Sequence, residues 1–258
     1  MSRPVRNDPI WSMPSVIVMA DPIRPTNPAH LLSDLQHRAV IQQQPVAAVG
    51  LDPPLALLRM WQSQRLAQTY ADLLADPQTG PALRFFLSDL YAPRDFSQRD
   101  HDVERIYAFV SQVLPAQTLQ VLTAIIALNR LTVALDHDLC RVLVDHLGVT
   151  DTITPASYAE GYRICANKDV RVDQIDRIAT VLARVGTGAH LPVIRLALFL
   201  ARIPAQRAGW GELYDLLSRG YAAFRQLRDV PTFVGTIAQR ERRILDQIFA
   251  GRPDPFTV

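Results

Sequence analysis

The stretch PAQTLQVLTAIIALNRLTVALDHDLCRVLVDHLG, residues 115–148, decides the fold. It opens on a proline and closes on a glycine, the two residues that suit the first turn and the end of a helix. In its first half Leu119, Val121, Leu122, Ile125, Ile126 and Leu128 are apolar nearly all round. A helix of that kind is normally buried at the centre of a bundle. Its second half is amphipathic and ends at Leu147-Gly148.

The same punctuation recurs on both sides. Upstream, Asn27-Pro28 opens a helix to Gln43, Asp52-Pro53 one to Leu74, and Pro81 one ending near Tyr91. Ser97-x-x-Asp100 resembles a capping box, followed by Val103, Ile106, Tyr107 and Val110 at helical spacing. Downstream, Thr154-Pro155, Val172–Val185, Leu191–Ile203, Gly211–Leu227 and Pro231–Ala250 read as further helices. No strand-like alternation of useful length, hairpin signal or fixed-period repeat is visible. The expectation is all-α: a single compact bundle of about nine to ten helices with a long buried central helix. Residues 1–25 read as a flexible Pro-rich arm, 26–250 as the bundle and 251–258 as a C-terminal tail.

Composition excludes more than it assigns. A net charge of +2 over 258 residues implies neither a nucleic-acid nor a membrane partner. Lys168 is the only lysine, so any lysine-based chemistry falls on it. The two cysteines, Cys140 and Cys165, are not a disulfide framework; free thiols suit a reducing cytosol. Val16–Ala20 is too short for a signal-peptide core. Ile106–Asn129 is interrupted by Ser111, Gln112, Pro115, Gln117 and Gln120, against a membrane span.

Several charges fall where a helix should be apolar. A helix turns about 100° per residue, so position i+7 returns close to its starting direction. On the Asp52-Pro53 helix the stripe is Leu55, Leu58, Leu66 and Leu73; Gln62 and Arg65 lie on or beside it. On the last helix the stripe is Phe233, Ile237, Ile244 and Ile248, with Glu241 in its middle. Asp89 flanks Leu83, Phe86, Leu87 and Leu90 on the third. The segment Arg84–Tyr107, dense in both aromatic and charged residues, adds Arg99 and Asp100. Burying an unpaired charge is prohibitive. These side chains should therefore meet in a partly buried network of Gln62, Arg65, Asp89, Arg99 and Glu241, with Trp61 one turn before Arg65.

In this order, Trp61-Gln-x-x-Arg-Leu66, Phe85-Phe-Leu-x-Asp-Leu-Tyr91, Asp95-Phe-x-x-Arg-Asp100 and the late pair Arg240-Glu241 resemble an uncharacterised all-helical family of proteobacterial proteins over residues 50–250. Ala92 stands where glycine is expected after the tyrosine. The resemblance implies a helical fold and a bacterial source but no reaction.

No complete catalytic constellation appears. Asp136, His137, Asp138, Asp145 and His146 suggest a metal site, but His137 and His146 are nine residues apart and point to opposite sides of one helix. There is no HExxH or ExxH pair, P-loop, GxGxxG or GxSxG. His101 among Asp100 and Asp102 has no nucleophile beside it. Arg240, Arg242 and Arg243 read as a solvated face. The expectation is a bacterial cytosolic protein that binds a protein or a small anionic ligand without catalysis, using no metal or cofactor. The alternative is a helical-bundle enzyme or small-ligand carrier around Arg65, Asp89 and Glu241. A concave pocket of ~300 Å³ or more would favour that alternative. A dry ionic lattice would favour a structural role for the charges. Oligomeric state is left open.

Overall fold

A computed structural model describes residues 52–90, 116–207 and 209–258. The expected helix from Asn27, the arm, and the segment holding Arg99, Asp100 and His101 lie outside these residues. Nine α-helices and no strand occur among those described. They are α1 (Pro53–Thr69), α2 (Ala71–Ala75), α3 (Gly80–Phe85), α4 (Ala116–Arg141), α5 (Pro155–Cys165), α6 (Lys168–Gly188), α7 (Pro192–Arg207), α8 (Gly211–Phe224) and α9 (Val230–Phe249). Helices α3 and α4 each run on into a wider π-helical turn, Phe86–Leu90 and Val142–His146.

Local chemistry sets these boundaries. Proline occupies the first turn of α1, α3, α5 and α9, where its missing N–H costs nothing. Thr154 and Ser157 form a reciprocal capping box at α5, and the Asp229 carboxylate accepts from the Thr232 N–H at 3.0 Å. The helix expected to run from Pro53 to Leu74 breaks at Tyr70, which separates α1 from α2. Helix α6 starts four residues earlier than its apolar pattern suggests, at Lys168.

The apolar core has two main parts. One joins α1, α3, α6, α8 and α9 through Leu66, Leu83, Leu182, Phe224, Phe233 and Ile237. The other joins α1, α4 and α5 through Leu55, Leu58, Leu139, Leu143 and Tyr158. Each such side chain taken fully from water contributes about 1.5–3 kcal/mol. Gly161 lets α5 approach α4 closely, because a Cβ there would lie 2.8 Å from Leu139. The final residues are docked: Phe256 meets Trp61 edge-on, with centroids 5.5 Å apart.

The long helix α4 is buried only along its second half, at Leu135, Asp136, Leu139, Cys140 and Leu143. From Leu119 to Ala134 its side chains are half-buried or exposed. The described contacts explain this: α1, α5 and α6 meet α4 from Thr132 onward. Leu119–His146 is long and apolar enough to cross a membrane. Its second half is tied to the bundle through Asp136, which accepts from Gln62 at 3.1 Å.

Candidate functional site

Polar side chains converge where the two apolar clusters meet. Arg65, on α1, reaches across to α9 and donates from Nη1 to Glu241 Oε1 at 2.6 Å. The pair is largely shielded from solvent. Tyr70 donates to the same Oε1 at 2.8 Å. Its hydroxyl also lies 3.3 Å from the Ile237 carbonyl. Glu241 thus accepts from both α1 and the break that follows it. Burial opposes the Arg65 cation, but the attraction and hydrogen bond of Glu241 outweigh that and hold its pKa above the ordinary value. Burial, reinforced by Glu241, also raises the Tyr70 phenol.

A second set of contacts adjoins this pair. Gln62, one turn before Arg65, donates to Asp136 Oδ1 on α4 at 3.1 Å and lies 3.5 Å from the Tyr158 hydroxyl on α5. Tyr158 donates to Tyr162 at 3.0 Å, and the Arg171 guanidinium of α6 lies 4.4 Å over the Tyr162 ring. Arg171 donates to the Leu135 carbonyl at 3.1 Å and to Gln174 at 3.2 Å. Gln174 in turn donates to Thr132 Oγ1 at 3.0 Å. Asp136 is only 2% exposed. Desolvation raises its pKa, against the hydrogen bond from Gln62 and the charges of Arg171 and Arg59. Five helices are therefore linked by one polar seam.

The expected residues divide unevenly. Gln62, Arg65 and Glu241 sit in this seam. Trp61 is nearby but does not lie on the guanidinium: it stacks on Tyr158, with centroids 4.1 Å apart and planes 27° apart. Asp89 falls in the π-helical turn after α3, and its side chain is outside the described residues, as is Arg99. Asp72, seven residues after Arg65, would share its azimuth on an unbroken helix. The break at Tyr70 swings it outward, where it takes a bidentate pair from Arg240 at 2.7 and 2.6 Å.

The seam lines a cavity of about 80 Å³, bounded on its polar side by Arg65, Tyr158, Tyr162, Arg171, Gln174 and Glu241. That is well below the ~300 Å³ of ordinary small-molecule pockets. Arg65 Nε is buried there without a hydrogen-bond partner, and Gln62 Oε1 is likewise unpartnered elsewhere in the seam. The space suits internal water, which commonly satisfies such atoms. Among the described residues no cluster of His, Cys, Asp and Glu could hold a metal. Burial raises both thiols, Cys140 and Cys165, above their ordinary pKa. Lys168 is paired with Asp246 at 2.7 Å.

Sequence reading missed Asp136, Tyr158, Arg171 and Gln174. A signal existed. Asp136 shares a face with Leu139 and Leu143, and Arg171 one with Ile175, Ile178 and Leu182.

The opposite irregularity lies on α7. This helix leaves α6 at a bend of 82° and packs on α8; Ile194, Ala197, Leu198, Ala201 and Ala205 are its less exposed positions. The other side carries Leu196, Phe199, Leu200 and Ile203, which are 56%, 74%, 59% and 60% exposed. Their i, i+3, i+4, i+7 spacing makes one continuous stripe.

An all-α bundle with an internal ionic seam and an uncovered apolar helix is what these elements define. The chain belongs to a family described as a domain of unknown function (DUF8198), whose model matches residues 42–255. No curated protein and no solved structure matches it.

Proposed function

We propose that this chain acts by associating with another protein through α7, without turning over a small substrate. The supporting observation is the exposed stripe Leu196, Phe199, Leu200 and Ile203. Contiguous apolar surface of this size marks interaction sites more often than chance exposure. The polar seam is then structural. Its charges neutralise one another across α1, α4, α6 and α9, and its cavity is small. Two free cysteines fit a reducing bacterial cytosol, which we infer as the compartment.

Native size in unfractionated lysate tests this proposal. Wild type should elute well above the 28.9 kDa monomer, and Phe199→Glu should elute as a monomer with unchanged helical circular dichroism. Elution of both at the monomer position would overturn it.

A second reading has one observation in its favour. The unpartnered Arg65 Nε belongs to a side chain that lines the cavity, a space in which a few-atom polar or anionic ligand could sit. Native mass spectrometry showing stoichiometric small-molecule adducts, abolished in Arg65→Met, would favour this carrier over the association reading.

A further inference from the structure

We infer that the occupant of the α7 face is a second copy of this chain, docked α7/α8 hairpin to α7/α8 hairpin in a two-fold dimer; this rests on the reading of α7 as a protein-binding face. The hairpin is built to project. Gly209, with φ +80°, turns the chain between the helices, and the Trp210 N–H closes on the Ala205 carbonyl at 2.8 Å. Helix α8 is rooted at its far end. A Cβ on Gly220 would lie 2.8 Å from the Phe85 ring, and Phe224 meets that ring edge-on at 6.3 Å. Midway along α8, Leu217 is 49% exposed.

Area and charge both argue for self-association. The stripe, with Val193 on the same face by helical spacing, exposes apolar surface on the order of 500 Å², at the upper end for the largest patch of a typical monomer. It would supply the apolar centre of the ~800 Å² per partner that a stable complex buries. Helix α7 carries Arg195, Arg202 and Arg207 and no acid, while the exposed acids of the hairpin, Glu212 and Asp215, lie on α8. None of these five has an ion-pair partner among the described residues. Two α7 helices alone would set arginine against arginine. Two hairpins related by a two-fold axis set the α7 arginines of one copy near the α8 acids of the other, and a two-fold interface must be complementary to itself in this way. An anionic membrane would gain from the arginines but be opposed by Glu212 and Asp215 at the rim.

Sedimentation equilibrium of the purified full chain at micromolar concentration tests the inference. Twice 28.9 kDa is expected for wild type, with Phe199→Glu and the milder Leu196→Ser each weakening association at least tenfold while helical content is kept. Arg202→Glu and Asp215→Arg should each weaken it, and the two together in one chain should recover it. If the purified chain is monomeric while the lysate assembly persists and depends on Phe199, the second copy is overturned and the protein-binding reading survives. If both are monomeric, and the chain instead floats with vesicles containing anionic lipid, both readings are overturned.

Discussion

Helices α9 and α7 carry opposite irregularities. Helix α9 buries Phe233, Ile237, Ile244 and Ile248 and holds one carboxylate, Glu241, in the middle of that stripe. Helix α7 covers one side with α8 and leaves Leu196, Phe199, Leu200 and Ile203 in solvent. A buried charge needs a partner within the fold, and Arg65 supplies it at 2.6 Å. An exposed apolar stripe has no such partner among the described residues. Unusual polarity inside a bundle thus identifies what holds the bundle together, and unusual apolarity outside it identifies what the bundle offers to others.

Substitutions should separate the two regions by size of effect. The largest loss is expected for Glu241→Ala, which leaves the Arg65 guanidinium buried and uncompensated; about 3–5 kcal/mol should disappear from urea-unfolding stability. A loss under about 1 kcal/mol would mean that Arg65 finds water or another acceptor. Next comes Asp136→Ala, at about 2–3 kcal/mol, because the buried Gln62 loses its acceptor. Asp136→Asn should cost much less and should separate from wild type with pH. The folded-state pKa of Asp136 is raised, so wild-type stability is fully present below the unfolded carboxyl pKa and declines as pH rises through the folded value. The Asn variant lacks that decline, so its relative stability should improve from acid towards neutral pH in paired urea titrations.

Asp72→Asn should have a smaller effect, under about 1 kcal/mol, since the Asp72–Arg240 pair is mostly solvated. The hydrogen bond from Arg240 lowers the Asp72 pKa to about 2. Its contribution is present above the ordinary carboxyl range and is lost as pH falls towards 2. Added salt should weaken it further, which thermal melts at two ionic strengths would show. Smallest of all is Leu200→Gln. Measured on the dilute monomer it should stay within about 0.5 kcal/mol of wild type. A loss of several kcal/mol would show that the α7 stripe is covered within the chain and would remove the contrast with α9.

Much of this was legible from residue spacing. Glu241 stood out because four apolar residues at helical intervals surround it, and Arg65 because it adjoins Leu58 and Leu66 on another stripe. Helix starts were legible because proline marks α1, α3, α5 and α9. What spacing could not convey is which helix faces which. It places Trp61 beside Arg65 without showing that its ring stacks on Tyr158, since that depends on the α1–α5 crossing. The break at Tyr70, which sends Asp72 to Arg240, had no sequence mark beyond a single tyrosine. Nor could composition tell that α7, as apolar as any core helix, keeps one side bare. Its neighbours decide that, and the neighbours are set by the 82° bend after α6.

The most direct measurement is a double-mutant cycle on Arg65→Met and Glu241→Leu, read by urea unfolding at neutral pH. If the interior charges exist to neutralise one another, each single change is costly and the double variant regains most of the loss, with a coupling of about 2 kcal/mol or more. Single effects that simply add, within about 0.5 kcal/mol, would contradict a structural seam and leave Arg65 and Glu241 as independent groups available to a ligand.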